Sequence, residues 1–570
     1  MEKTKHIAIL GGGPSGLFAY KQLIASRENA LEIDIFERKN LLGAGMPYSI
    51  EGAGREHITN VSGNEIPPLV TSVSEWIATV PNDILSSYGI DPTHFNDYKV
   101  LPRLLFGQYL SAQFDLLYQQ AEDVGITTNL HLGTEVTNVT ETNHQLFVHA
   151  ENYAGQFDHV IICTGHNWPK THEQTIPDYF DSPYPPSKIA LSRNHTVAIR
   201  GSSLTAIDAI RTLARANGIF SNDTSGKFSY TVSEQNPEFR AVIHSRSGLL
   251  PAVRFHLEDS HLSNDSLLTP DEISAHIKGN DGFLSLDYLF RKDFIEIFRE
   301  ADPGFYEKVK HLRIEEFVAT MMELRERLDP FTLLRAEYAE AEKSIKRHES
   351  VYWKEMLAVL SFAMNYPAKY LSAEDMQRLQ KTLMPLISVV IAFVPQSSCN
   401  EMLAMHAAGI LDIVAVGDDS EVTPEPKGGA TYTFTDEDGK SVSTHYKTFI
   451  DCIGQPHLNY EDFPFKGLVQ SGAVSPAKLK FHDAQKGREA FESGNKNVEQ
   501  TASGDYYLRV SGVAINDNFQ AVDAYGAYHP DVYIMAVPYI GGFNPDYSGL
   551  DFCEAASKKI AQNILEFPMD

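Results

Sequence analysis

The stretch His6–Tyr20 reads HIAILGGGPSGLFAY. Four apolar residues, Ile7–Leu10, run into a cluster of glycines and then into helix-forming residues. A short apolar run bounded by glycine reads as a strand buried on both faces of a parallel sheet. Gly11, Gly13 and Gly16 have the spacing G-x-G-x-x-G. In that spacing the first glycine permits the tight turn out of the strand. The second lets the backbone approach a pyrophosphate, and the third lets the helix pack on the sheet. Pro14 and Ser15 belong to the candidate loop, and backbone N–H groups at the start of the helix that follows, aided by the helix dipole, face any bound anion. Taken alone, the spacing is equally that of a tight turn.

The flanks favour a cradle. Leu17–Ser26 has helical composition, and Leu31–Phe36 (LEIDIF) reads as a second strand. That strand ends at Glu37, 21 residues after Gly16. A carboxylate there can accept hydrogen bonds from ribose hydroxyls. Strand, loop, helix, strand and acid together predict a dinucleotide site. Arg38 beside it reads as a solvated loop charge.

The same grammar returns at His195–Ala214, HTVAIRGSSLTAIDAIRTLA. Thr196–Arg200 reads as a strand, and Gly201, Ser203 and Ala206 repeat the first spacing with small residues at the second and third places. Small side chains still allow a close backbone approach. The next strand is predicted at Ala241–His244, after an insertion at Ile219–Arg240. Its end carries Arg246 instead of an acid. A guanidinium suits a 2'-phosphate where a carboxylate suits a free 2'-hydroxyl. This favours NADP, with NAD the alternative. The bland reading of Arg246 is a partner for a nearby carboxylate.

The chain has 570 residues, a formal net charge of -27 and 43% hydrophobic residues. The length predicts two or three domains. The acidity argues against nucleic acid, whose binding needs clustered Lys and Arg, and against an anionic membrane surface. The four cysteines, Cys163, Cys399, Cys452 and Cys553, have no metal-ligand or redox-pair spacing. No metal site is predicted, and the cysteine usage fits a reducing, cytoplasmic compartment. The N-terminal residues lack a signal-peptide pattern. The most membrane-like stretch, Leu383–Val394, is 12 residues long and contains Pro385. A membrane span needs about 20 apolar residues, so a buried core segment is expected.

Further motifs follow the first acid. They are LLGAGMPYS (Leu41–Ser49), HITNVSGNEIP (His57–Pro67), LPRLLFGQYL (Leu101–Leu110), GTEVTNV (Gly133–Val139) and HVIICTGHNWP (His159–Pro169). Together they resemble bacterial FAD/NAD(P)-binding flavoproteins that carry a G-x-G-x-P-Y segment after the first Rossmann motif. These are distant relatives of flavin N-hydroxylating monooxygenases. The resemblance covers most of both ends of the chain and is weaker in the middle. It implies FAD in the first domain, with Gly11, Gly13, Ser15 and Gly16 on the pyrophosphate and Glu37 on the adenosine ribose. Met46, Pro47 and Tyr48 would line the path to the isoalloxazine, with Asn60 and Arg103 near the flavin or its phosphates. Val136 would hold the adenine through its backbone, and Thr164–Gly165 would turn beneath the cofactor. The C-terminal helix would point Gly549, Leu550 and Asp551 at the flavin pyrimidine ring. The departure is Gly541–Gly542 after the last strand, where the family has a Gly-Asp pair. Tyr48 as core, Asn60 as a turn cap and His57 as a satisfied polar residue are the structural alternatives.

Residues 253–410 read as mostly helical, with a capping box at Thr269–Glu272 and a second helix start at Ser372. Such apolar stripes are usually core, and packing is the default for Trp353. Asp436–Gly439 reads as a hairpin turn, not a calcium loop, because the remaining ligands of such a loop are missing. Phe449–Pro456 (FIDCIGQP) repeats the strand-then-glycine pattern of His159–Pro169. The expected fold class is α/β with two dinucleotide-binding (Rossmann-like) domains, the second carrying a largely helical insertion. The expected boundaries are 1–192 with 445–570 for FAD, 193–252 with 411–444 for NAD(P), and 253–410 for the insertion, a possible substrate cap.

The functional expectation is an FAD-dependent oxidoreductase, NADPH-reduced and monooxygenase-like, acting on a small molecule. No catalytic side chain is singled out. A disulfide reductase is excluded because LLGAGMPYS lacks the redox cysteine pair. The alternatives are a flavin oxidase or dehydrogenase with a vestigial nicotinamide fold, and a non-catalytic FAD-bound sensor. A tRNA-modifying flavoprotein is disfavoured by the net charge. Oligomeric state has no signature in the sequence.

Overall fold

The run of apolar residues at Lys5–Leu10 (β1) forms a central strand of a six-stranded sheet in the computed structural model, which describes residues 4–27, 30–222, 228–258, 267–455, 457–546 and 549–566. The other strands of this sheet are Leu31–Glu37 (β2), Thr127–Leu132 (β3) and His159–Ile162 (β4), with Gln520–Val522 and Tyr528–Ile534 from the far end of the chain. A second, five-stranded sheet contains Tyr179–Phe180 (β5), Thr196–Arg200 (β6), Arg240–Ser245 (β7), Leu411–Ala415 (β8) and Thr448–Asp451 (β9). Gln520–Val522 is β10 and Tyr528–Ile534 is β11. The orders are β10-β11-β4-β1-β2-β3 and β5-β9-β6-β7-β8. Every pairing is parallel except β10 with β11. Ile7, Ala8 and Ile9 are completely buried, as a strand covered on both faces requires.

Pro14–Ala25 (α1) and Arg103–Asp123 (α2) cover the first sheet, and Leu204–Asn217 (α3) covers the second. A three-stranded antiparallel sheet, Val136–Thr142, Gln145–Ala150 and Tyr153–Phe157, lies in the chain between β3 and β4. The insertion between β6 and β7 contains a hairpin of Gly218–Asn222 with Phe228–Val232. Asp436–Gly439 is the tip of a hairpin joining Ala430–Thr435 to Ser441–Tyr446, with the Asp436 N–H donating to Lys440 O.

The middle of the chain is helical. Its main helices are Ile314–Arg327 (α4), Pro330–Arg347 (α5), Tyr352–Met364 (α6) and Gln396–Ala407 (α7). The capping box at Thr269 forms, and Ser372 caps the helix that begins at Ala373. The block joins both cores. Leu357, Leu360, Leu383 and Leu386 pack with the first sheet's core, and Phe331, Leu334 and Met402 with the second. Leu383–Val394 is core, as its length predicts, with Leu383, Leu386, Ile387 and Val390 buried. A widened π-helical turn at Leu379–Leu383 precedes Pro385 and makes room for a ring that would clash with an ordinary preceding turn. Trp353 packs at the edge of this core. No helix among the described residues is long and apolar enough to cross a membrane.

The last helix, Gly549–Glu566 (α8), packs along α1. Ser15 Oγ and Cys553 Sγ lie 3.4 Å apart at that contact, so the two ends of the chain meet at the start of α1.

Candidate nucleotide site

The geometry at the end of β1 accounts for Gly11. Its φ is +114°, and a Cβ there would meet the Cys163 carbonyl oxygen at 2.6 Å. The Gly11 N–H donates to Phe36 O, and the Cys163 N–H donates to Leu10 O. Gly16 faces the Gly11 carbonyl, which its Cβ would meet at 2.1 Å. Gly13 lies against Gly45, whose Cα is 3.2 Å from the place a Gly13 Cβ would take. The G-x-G of Gly43–Gly45 therefore closes one side of the loop. The Glu37 carboxylate accepts from the Gly12 N–H at 2.9 Å and the Lys39 N–H at 3.0 Å. Thus β2's terminal acid is held beside the glycine turn.

The second sheet repeats the device. Gly201 has φ +100°, and its Cβ would meet the Cys452 carbonyl oxygen at 2.7 Å. Its N–H donates to His244 O, and the Cys452 N–H donates to Arg200 O. Ala206, in the place of Gly16, is fully buried. The two loops that follow the corresponding residues Cys163 and Cys452 also touch. The Asn167 N–H donates to Gln455 Oε1, and Gln455 Nε2 donates to Asn167 O, each at 2.8 Å. Pro456, the last residue of the repeated motif, lies outside the described residues.

Gly13 before α1 and Ser203 before α3 make no side-chain cap. In the helical block the starts are mixed: Thr269, Asp302, Asp329 and Ser372 each accept from a first-turn N–H, while α4, α6 and α7 also begin without a side-chain cap. Uncapped N–H groups leave donors for an anion, with the helix dipole in support. Thr164 Oγ1, beneath the first turn, is buried with no hydrogen-bond partner among the described residues. Close glycine packing, uncapped helix starts and this orphan hydroxyl fit a dinucleotide in the first fold.

The remaining sequence candidates spread around this centre. Tyr48 packs edge-on against Phe106, 4.9 Å between ring centroids, and burial pushes its phenol up to about 12. Met46 backs the adjacent turn, where its carbonyl accepts from the Gly52 region's neighbour Ser49, and Pro47 lies beside Gly45. Val136 begins the antiparallel sheet, opposite Ala150. Gly549, Leu550 and Asp551 form the first turn of α8, with Leu550 and Asp551 buried. Arg246 lies just past β7, largely exposed, with Nη1 3.6 Å from Asp418 Oδ1.

Arg103 is engaged across the molecule. Its Nη1 donates to Asp208 Oδ2 at 2.5 Å and its Nε to Ile58 O. Asp208, on α3, also accepts from the Tyr184 hydroxyl at 2.7 Å. Burial opposes the charge on Asp208, but Arg103 and the Tyr184 hydroxyl hold its carboxyl below the usual range. His57 is buried. Its Nδ1 accepts from the Gly54 N–H, and its Nε2 faces Asp208 O and Thr212 Oγ1, each at 3.1 Å. Burial lowers its pKa, so it is a neutral brace between the folds. The carbonyl of Asn60 accepts from Arg254, which also pairs with Glu65. Asp208, Tyr184 and Arg254 have no motif in the sequence.

A family profile described as FAD-NAD(P)-binding matches residues 8–167, and one described as YdhS-like middle domain matches residues 269–391. The protein YdhS of Escherichia coli (strain K12) is 30% identical over 472 residues, covering 81% of this chain and 86% of that protein. The chain belongs to the YdhS-like family. Its first fold is of the FAD/NAD(P)-binding kind, and its helical block is the family's middle domain. The flavin-containing monooxygenase FMO GS-OX1 of Arabidopsis thaliana is 24% identical over 242 residues, covering 37% of this chain and 47% of that protein. Among solved structures, the reduced ornithine hydroxylase PvdA of Pseudomonas aeruginosa aligns over 99% of both chains at 8% identity, with a TM-score of 0.48. This chain is an enzyme, an FAD/NAD(P)-binding oxidoreductase.

Proposed function

We propose that the chain is an NADPH-dependent flavoprotein oxidoreductase with monooxygenase-like chemistry on a small molecule. The observation that carries this reading is the duplicated turn, Gly11 under Cys163 and Gly201 under Cys452. Two such turns in two parallel sheets supply one site for each nucleotide. When bound, FAD supplies the hydride-accepting and electron-donating chemistry.

The protein's part is to bind, orient and exclude water. Gly11, Gly13, Ser15 and Gly16 hold the pyrophosphate at the uncapped start of α1, and Glu37 holds the adenosine ribose. Val136 offers its backbone to the adenine. Met46, Pro47, Tyr48, Asn60, Thr164 and Gly165 line the flavin side. The Tyr48 phenol stays protonated near neutrality and can donate a hydrogen bond. The start of α8, at Gly549, Leu550 and Asp551, places its dipole toward the pyrimidine end. Gly201, Ser203 and Ala206 hold the second nucleotide, with Arg246 on the 2'-phosphate. Arg103 takes a different part from phosphate binding: through Asp208 it fixes one fold against the other. The plant relative's name as a flavin-containing monooxygenase supports the reaction class. The four cysteines are free and buried, which supports a reducing cytoplasmic location.

The test is a visible spectrum of the purified protein, recorded anaerobically before and after NADPH. Flavin bands that bleach are expected. Bands that persist with NADPH but bleach with a metabolite would replace this reading with an oxidase or dehydrogenase. Absence of flavin after reconstitution with FAD would overturn the assignment of the first cradle.

A further inference from the structure

A cavity of about 240 Å³ lies between the helical block and the first fold. No residue assigned above to a nucleotide lines it. That volume lies just below the roughly 300–1,000 Å³ of pockets for drug-sized ligands, so its occupant is small. Phe362, Phe519, Phe543 and Phe552 give it an aromatic wall. Phe519 holds φ at +62°, a rare conformation for a bulky residue, at the end of the turn that also carries Asp517.

Two carboxylates, Asp293 and Asp517, and two ammoniums, Lys369 and Lys559, line the cavity, and their pairing is uneven. Asp517 accepts from Lys369 Nζ at 2.7 Å, from the Tyr370 hydroxyl at 2.8 Å and from the Tyr366 hydroxyl at 3.0 Å. One carboxylate thus satisfies three donors. Lys559, on α8, places Nζ 3.7 Å from the Tyr366 ring centroid and has no ion pair among the described residues. Asp293 lines the cavity too, with Oδ1 accepting from the Leu268 N–H at 2.8 Å. Burial raises the Asp293 carboxyl to about 6, so its charge is weakly held. Burial, with Lys369 nearby and only partly offset by Asp517, brings Lys559 down to about 8. An ammonium this poorly compensated is stabilised by an incoming anion.

We propose that this cavity binds a small organic carboxylate with an aromatic or branched apolar body, its carboxylate on Lys559 and its body against the phenylalanine wall. The site is separate from both nucleotide cradles, and the inference does not depend on the oxidoreductase reading. It gives the seam between the middle domain and the first fold a ligand of its own.

The test is isothermal titration calorimetry on the full-length protein, as purified, with sodium benzoate, benzamide and benzylamine as probes. Benzoate is expected to bind one per chain. Benzamide, which lacks the charge, should bind at least about tenfold more weakly, the scale of one charge-assisted hydrogen bond. Lys559→Met should lose benzoate binding by about the same factor, and Lys559→Arg should retain it. Ala555→Leu, which fills the cavity from α8 without touching a charge, should abolish it. Thermal melts check that each variant folds. Equal binding of benzamide, tighter binding of benzylamine, or benzoate binding unaffected by both Lys559→Met and Ala555→Leu would overturn the proposal. So would the absence of benzoate binding at about 10 mM, the weak limit for a specific site of this kind.

Discussion

The Arg103 guanidinium and the Asp208 carboxylate lie 2.5 Å apart and are both buried or nearly so. They join the first turn of α2, in the first fold, to α3, in the second. Burial alone would lower the pKa of Arg103, but Asp208 and Tyr184 keep it above its ordinary value. Removing one partner leaves the other charge buried and unpaired, which costs about 3–5 kcal/mol. Asp208→Asn is therefore expected to lower the unfolding free energy by that amount, read as a lower urea midpoint at unchanged slope. The pH dependence has a definite sign. Asp208's carboxyl is depressed in the folded state, so its stabilisation is present above about pH 4 and is lost as pH falls. The wild type should lose stability more steeply than Asp208→Asn on the acid side. Parallel acid limbs would show that the pair contributes little.

Gly11 and Gly201 are expected to separate the two nucleotide sites. At each, a Cβ would strike a carbonyl, at 2.6 Å and 2.7 Å, on a backbone of positive φ. Gly11→Ala should yield protein with little bound flavin. Gly201→Ala should keep its flavin spectrum but raise the KM for NADPH at least about tenfold, the cost of roughly 1.4 kcal/mol of lost fit. Spectra and steady-state rates on the two variants check this. Flavin loss from both, or from neither, would sink the division of labour.

The parts of the fold that repeat a local rule are legible in the sequence. Thr196–Arg200 has the same bounds when read from its apolar run as it has in the structure. Pro14 extends α1 three residues earlier than its helix-forming residues suggest, because proline suits a first helical position. The position of Glu37 is legible because the apolar run that ends there is read as the second strand, which the structure closes at the same residue. The braces are not legible. Asp208 lies 105 residues from Arg103, and Arg254 lies 189 residues from Glu65. Each partner, read locally, is an ordinary charge in a helix or loop, and only the packing of one fold on the other pairs them. The cavity beside Lys559 is equally hidden, since its walls come from the helical block, the turn before β10 and α8.

Arg246 should set the choice between NADPH and NADH. It is 74% exposed and its pair with Asp418, at 3.6 Å, is loose and open to solvent, so a 2'-phosphate can compete for the guanidinium. Solvent screening limits such a contact to about 1–1.5 kcal/mol. Arg246→Ala is expected to raise the KM for NADPH about tenfold and leave that for NADH within about twofold. Equal effects on both cofactors would mean that Arg246 does no more than pair with Asp418.

His244 should govern stability between mildly acidic and neutral pH. It is the penultimate residue of β7, stacks on Tyr432 with ring centroids 4.3 Å apart, and lies 3.1 Å from the Tyr446 hydroxyl. Burial lowers its pKa to about 4, so it stays neutral in the folded protein. In the unfolded chain it binds a proton below about pH 6.5. Stability is therefore full above about pH 6.5 and falls as pH drops toward 4, where about 3 kcal/mol has been lost to this one group. His244→Phe keeps a ring against Tyr432 and has no proton to bind. Its urea stability should be lower than the wild type's at pH 7, through the missing Tyr446 contact, and should change less between pH 6.5 and pH 4. Chemical denaturation at several pH values measures this, and a variant as pH-sensitive as the wild type would place the titration elsewhere.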